Sequence, residues 1–193
     1  MELLPALNQL TKLELCKNCI SDIGSFSNLT QIEILWISEN QITDISPLSD
    51  LNQLKSLYLE YNQITNVSPL SNLTLLKDLS LYNNQITDVS PLSNLTQLEH
   101  VNLFDNQIKD VSPLSDLTQL NHLQLDYNQI TDLSPLSGLT QLVSLTLQAN
   151  QITDLNPLSD LNQLEDLLLH DNPLKRSQID GLREKLPDCK ITF

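Results

Sequence analysis

Three groupings of side chains in this sequence have the residue types that chemistry needs. His100 and His122 stand 22 positions apart, and Asp78 stands another 22 upstream. If successive units of that length stack as strands, the three fall in one column with steps of about 4.8 Å. Two imidazoles and a carboxylate so spaced are the material of a zinc site or a proton transfer. Cys16-Lys17-Asn18-Cys19 has C-x-x-C spacing, but redox motifs of that form open a helix and zinc sites need further ligands. Asp22, Asp44, Asp88, Asp110, Asp132 and Asp154 form an acidic series with the oxygen ligands calcium takes. Asn66 stands in the same series, keeping turn chemistry while losing charge, so the series reads as turn bracing.

None of these completes an active site. A nucleophile triad, a phosphate loop and a glycine fingerprint are all missing from a sequence with only three glycines. Histidines on an open sheet lack the closed pocket that catalysis uses. The expectation is a non-enzyme with no cofactor and no metal. Asn28, Asn66, Asn72 and Asn94 head glycosylation-type sequons, most of them by-products of the repetition.

The elements that must position these residues come from an internal repeat. Asn18, Asn40, Asn62, Asn84, Asn106, Asn128, Asn150 and Asn172 recur every 22 residues. A fixed period of that length means a solenoid whose core grows by stacking. In one copy the apolar positions are Leu51, Leu54, Leu57, Leu59, Ile64, Val67 and Leu70. The Leu57-Tyr58-Leu59 step has period two and reads as a short strand with its leucines inward. Strands of successive copies run the same way and form a parallel sheet. The asparagine follows each strand where the chain turns inward, and a buried amide there must bond the turn and the neighbouring copy. Ser46-Pro47, Ser68-Pro69, Ser90-Pro91, Ser112-Pro113, Ser134-Pro135 and Asn156-Pro157 read as a cap followed by proline at the first position of a 3-10 turn.

The ends differ from the middle. Residues 1–6 read as the tail of a repeat, with Leu4 on Leu48 and Leu7 on Leu51, so the N-terminal cap is incomplete. The first strand then has a bare edge, blunted by Lys12 and Glu14, which invites pairing with a second chain. After Asn172 the pattern breaks. Ser177-Gln178-Ile179-Asp180 resembles a capping-box start, Ile179, Leu182 and Leu186 share a helical face, Pro187 stops the helix, and Ile191 and Phe193 suit a last strand. The array therefore spans residues 1–172, about eight repeats, and residues 173–193 form a C-terminal cap.

The net charge of −14 argues against nucleic acid and anionic membranes as partners. Residues 173–193 sum to +2, leaving −16 on the rest. No apolar run reaches the length of a membrane span, so no membrane insertion is expected. Met1-Glu2-Leu3-Leu4-Pro5 has no basic n-region or long apolar core, which favours the cytoplasm, or secretion if the sequence begins after processing. Three cysteines do not make a disulfide framework. Cys189 lies about 33 Å from the other two at seven strand spacings.

The repeat pattern L-x-x-L-x-x-L-x-L-x-x-N-x-I-x-D-I/V-x-P-L-x-x, carried over residues 7–172, resembles the leucine-rich repeat. Its length and the phrase Asp-Val-Ser-Pro-Leu-Ser-Asn-Leu resemble the bacterial, internalin-like subclass, as does the ending Leu186-Pro187-Asp188-Cys189-Lys190-Ile191. The resemblance implies an α/β, right-handed curved solenoid. Its parallel β-sheet lines the concave face, 3-10 turns lie on the convex face, and a helix caps the C-terminus. It further implies protein recognition on the concave side.

Function should then sit on residues between the inward leucines, which face out. Six of the eight aromatics fall in these columns: Trp36, Tyr58, Tyr61, Tyr82, Phe104 and Tyr127. The core positions are already taken by Leu and Ile, and exposed Trp and Tyr are preferred interface anchors. Glu60, Asp105 and Asp126 stand among them with His100 and His122, and Glu14, Glu39, Asp78, Asp166 and Asp171 add negative charge against only Lys12 and Lys17. The expected partner is a protein or peptide with a basic, partly apolar surface, whose approach the charge speeds. A homodimer through the N-terminal edge is the alternative.

Overall fold

The computed structural model describes residues 8–193. Leu4 and Leu7, which carried the reading of an incomplete cap, lie outside the described residues. Among the described residues, nine three-residue strands form one parallel sheet in chain order. They are β1 (Lys12–Glu14), β2 (Ile34–Trp36), β3 (Ser56–Tyr58), β4 (Asp78–Ser80), β5 (His100–Asn102), β6 (His122–Gln124), β7 (Ser144–Thr146), β8 (Asp166–Leu168) and β9 (Lys190–Thr192). The register is a step of one repeat from β1 to β8: Leu35 pairs with Leu57, Leu57 with Leu79, Leu79 with Val101, and Val101 with Leu123, while β9 pairs with β8 at a longer step, Leu167 with Ile191. Each return path from β1 to β8 carries a 3-10 turn, such as Ser46–Leu48 or Ser90–Leu92. A helical turn is wider than the strand spacing, so the array curves with its sheet on the inside.

The core is one continuous cluster of Leu, Ile and Val running the length of the solenoid. Leu57, Leu59, Ile64 and Leu70 of a middle copy are fully buried. Each such side chain contributes about 1.5–3 kcal/mol relative to exposure.

Seven of the eight asparagines form the expected ladder, while Asn18 bonds its own turn among the described residues. The Asn62 amide donates to Leu59 O at 3.0 Å and Ile37 O at 3.1 Å, and its oxygen accepts the Ile42 N–H at 2.9 Å. Asn40, Asn84, Asn106, Asn128, Asn150 and Asn172 repeat this, each tying its own turn to the preceding copy. No buried side-chain nitrogen or oxygen lacks a partner among the described residues.

Two details of the turns differ from the sequence reading. The serine of Ser-Pro-Leu is the first residue of the 3-10 turn, and its side chain does not cap it. The aspartate two residues earlier does that work: Asp44 accepts the Ser46 N–H at 2.8 Å and its hydroxyl at 2.9 Å. Asn66 accepts the Ser68 N–H at 2.9 Å, which explains why it substitutes for aspartate. The helix α1 (Arg176–Lys185) starts one residue before Ser177, with Gln178 accepting the Lys175 N–H at 2.9 Å. Its Ile179 and Leu182 close the core, and β9 extends the sheet beside β8.

Candidate functional site

The concave face is built from four columns, taken one residue from each copy. Their positions follow from the strand period, except for the last. Lys17, Glu39, Tyr61, Asn83, Asp105, Tyr127, Ala149 and Asp171 all have φ between 51° and 60°. They sit in the left-handed region, where the chain leaves the strand and turns toward the ladder asparagine. A side chain there costs about 1–2 kcal/mol over glycine. None of the eight is glycine, so this corner accepts strain in exchange for a side chain.

The corner gathers the aromatics. Tyr61 and Tyr82 meet edge to face with centroids 4.7 Å apart, Tyr82 and Phe104 at 6.0 Å, and Phe104 and Tyr127 at 5.1 Å. Four rings from four successive copies therefore make one ridge. Tyr61 and Tyr127 are each 45% exposed. Trp36 and Tyr58 form a separate stack at 5.8 Å at the ends of β2 and β3. Burial raises the Tyr58 phenol above its ordinary pKa, and the Asp78 and Glu60 charges add to this. The Tyr82 phenol is raised first by burial, then by hydrogen bonding with Tyr61.

Beside the ridge lies an open trough of about 420 Å³. Tyr58 and Glu60 form one wall, and His100 and His122 the other; Leu79, Ser80 and Val101 make the floor. It exists because the column that carries Trp36 and Tyr58 drops to Ser80 in the next copy. The two imidazoles lie 4.9 Å apart, as their column predicts. His100 Nδ1 is 2.8 Å from Asp78 Oδ1, whereas His122 Nδ1 turns to Asn121 at 2.6 Å. Among the described residues, no group of three His, Cys, Asp or Glu side chains is placed to hold a metal ion.

The structure holds the acidic residues by contacts that cross from copy to copy. Glu60 accepts a hydrogen bond from Ser38, and Asp78 accepts one from Ser56 at 2.8 Å. Asn83 donates to Asp105 at 2.6 Å. Asp126 departs from the outward-facing expectation. It is buried, with its carboxylate taken by the Thr146 hydroxyl and by the Gln148 N–H at 2.8 Å. It braces the face instead of presenting charge on it. Ser80 is buried as well. One further column, not read from the sequence, carries the ion pairs Lys55–Glu33 at 2.8 Å and Lys77–Glu99 at 2.6 Å.

A curved parallel sheet with an amide ladder and a convex row of 3-10 turns is the architecture of a leucine-rich repeat. The leucine-rich repeat family model, described as two copies per match, fits residues 8–50, 52–94 and 96–138. The chain belongs to this family. Its type is that of the internalins. An internalin (inlF) of Listeria monocytogenes is 38% identical and superposes with a TM-score of 0.89, covering 98% of this chain and 58% of that one. Internalin C2 of the same organism is 35% identical, with a TM-score of 0.90 and coverage of 98% and 84%. A leucine-rich repeat protein of Leptospira interrogans is 28% identical, with a TM-score of 0.85 and coverage of 97% and 55%. This chain thus spans little more than half of the inlF structure it resembles. A comparison with curated protein sequences gives no match.

Proposed function

We infer that this chain is a non-enzymatic binding module that holds a protein or peptide on its concave face. The observation that carries the reading is the ridge of Tyr61, Tyr82, Phe104 and Tyr127, placed on a surface whose core positions are already filled by leucine and isoleucine. Aromatic side chains outside the core are the commonest interface anchors. Trp36 and Tyr58 extend the apolar area, and Glu60, Asp105 and the Asp78–His100 pair give it a polar rim. Asp126 supports the face from beneath. The partner best matched to it has a basic and partly apolar surface.

The test is affinity capture with the native chain beside a Tyr58→Ala/Tyr82→Ala/Phe104→Ala variant, with circular dichroism to check that both are folded. A protein held by the native chain and lost by the variant supports the reading. Equal retention by both counts against it.

A second reading, assembly through the N-terminal edge, is favoured by one observation. A cavity of about 250 Å³ opens at that end, lined by Leu10, Leu13, Leu15, Phe26 and Leu29. Light scattering of the native chain and of Glu14→Pro tests it. A dimer abolished by the substitution supports assembly, and a monomer rejects it.

A further inference from the structure

The ridge and the trough are parallel lanes of opposite character. The ridge runs through four successive copies, from Tyr61 to Tyr127, with the aromatic rings in contact along it. Three strand spacings make that run roughly 14 Å long. An extended chain of about four to five residues covers the same length. The trough lies alongside, some two to three residues back along the strand direction, or roughly 7–10 Å. An extended chain points successive side chains to opposite sides. Laid along the solenoid axis between the lanes, it sends every other side chain to the ridge and the rest to the trough.

What the trough would take follows from its chemistry. Its polar lining carries Glu60, held by the Ser38 hydroxyl, and Asp78, held by the Ser56 hydroxyl at 2.8 Å and by His100 Nδ1 at 2.8 Å, so an arginine meets Glu60 first and shares Asp78 with His100. The Tyr58 ring faces the same space, backed by Trp36. No lysine or arginine lines it. The nearby Lys55 and Lys77 are tied to Glu33 and Glu99. Carboxylates beside an aromatic face suit a guanidinium, which stacks on the ring and gives two parallel hydrogen bonds to a carboxylate. Lysine offers only a point charge and is a poorer match.

Building on the concave-face reading, we propose that the ligand is an extended segment in which arginine alternates with apolar residues, arginines entering the Tyr58–Glu60–Asp78 trough and apolar side chains lying on the Tyr61–Tyr127 ridge. The order of residues, and not composition alone, sets the affinity.

Two fluorescently labelled peptides of identical composition test this by anisotropy on the full chain, one alternating arginine with leucine and the other grouping them in blocks. The alternating peptide is expected to bind at least tenfold more tightly. Glu60→Gln and Asp78→Asn should each weaken it about tenfold, and Tyr82→Ala/Phe104→Ala should do the same. Circular dichroism keeps loss of fold apart from loss of binding. Equal affinity for both peptides, insensitivity to Glu60→Gln, or no binding of either peptide overturns the proposal. The concave-face reading fails separately, when a captured protein partner is retained by the Tyr58→Ala/Tyr82→Ala/Phe104→Ala variant.

Discussion

Replacing one ladder asparagine measures how the copies are held together. Asn106 donates to Leu81 O at 3.1 Å, Leu103 O at 3.2 Å and Phe104 O at 3.3 Å, and accepts the Ile86 N–H at 3.0 Å. In Asn106→Ala these four contacts do not cost alike. Leu81 O keeps a donor in Asn84, Leu103 O keeps one in Asn128, and Phe104 O keeps the Asn83 N–H at 2.9 Å. The Ile86 N–H keeps none, in a fully buried residue. An orphaned buried donor costs about 1–3 kcal/mol, and each of the three lost but backed-up bonds about 0.5 kcal/mol, so the loss should total about 2.5–4.5 kcal/mol. Asn18→Ala is the control. Asn18 is exposed and, among the described residues, donates only to Leu15 O and Cys16 O of its own turn, so its loss should stay under about 1 kcal/mol. Asn106→Asp should be worse than alanine at neutral pH, because a carboxylate can still accept but faces three carbonyls that it repels. Urea unfolding followed by circular dichroism reads all three, with a second probe to check that the array unfolds as one unit. Equal losses at Asn106 and Asn18 would refute the ladder account, as would an aspartate variant as stable as native.

Three further outcomes follow from the geometry. Tyr127→Gly relieves a left-handed residue at φ 53° but removes the Phe104 contact and a 3.2 Å bond from Gln148, so stability measured by urea unfolding should change by less than about 1 kcal/mol while partner capture falls. The Asp44 and Asp110 carboxyls are held below their ordinary pKa, first by the serine N–H and then by the serine hydroxyl. A carboxyl whose pKa is lowered by folding stabilises above its unfolded pKa of about 4 and loses that contribution as pH falls through the folded value; the Asp44→Asn/Asp110→Asn variant should therefore lose less stability than native between pH 5 and pH 2 (about three pH units across the range) in acid titration by circular dichroism. Burial, with a smaller part from Asp166, pushes the Cys189 thiol up to about 11, so iodoacetamide at pH 8 should label exposed Cys19 well before Cys189 by peptide mass spectrometry.

The repeat made most of the fold legible. The period located the first eight strands and the ladder asparagines, and the break after Asn172 located the closing helix and the last strand. The left-handed corner was hidden because no residue type marks it. Lysine, glutamate, tyrosine, asparagine, aspartate and alanine all stand there, and the glycine that usually signals such a conformation is absent. The burial of Asp126 was hidden for another reason. Alternation predicts which way a side chain points, but not whether its neighbours close over it. Thr146 and Gln148, on the following copy, do so. A signal did exist for the other braced carboxylates. Ser38 and Glu60, Ser56 and Asp78, and Asn83 and Asp105 stand one repeat apart in the same column, so reading columns pairwise finds them. The Lys55–Glu33 and Lys77–Glu99 pairs obey the same rule one position outside the columns considered.

A repeat separates the residues that specify the fold from those free to specify a partner. The inward leucines, the asparagine and the turn aspartate recur because each copy must fit the next in the same way. A change at any of them is felt by two copies. The outward columns carry no such demand, so a departure from the repeat there needs its own cause. The drop from Tyr58 to Ser80 is one such departure, and it makes the trough. The ridge shift from Tyr61 to Tyr82, and back from Phe104 to Tyr127, is another. It moves between the last two columns in step with the rings it must touch, keeping neighbours within 6.0 Å. A ridge whose members change column yet stay in contact is a surface feature in its own right, because a core position repeated by the same period would have stayed in one column.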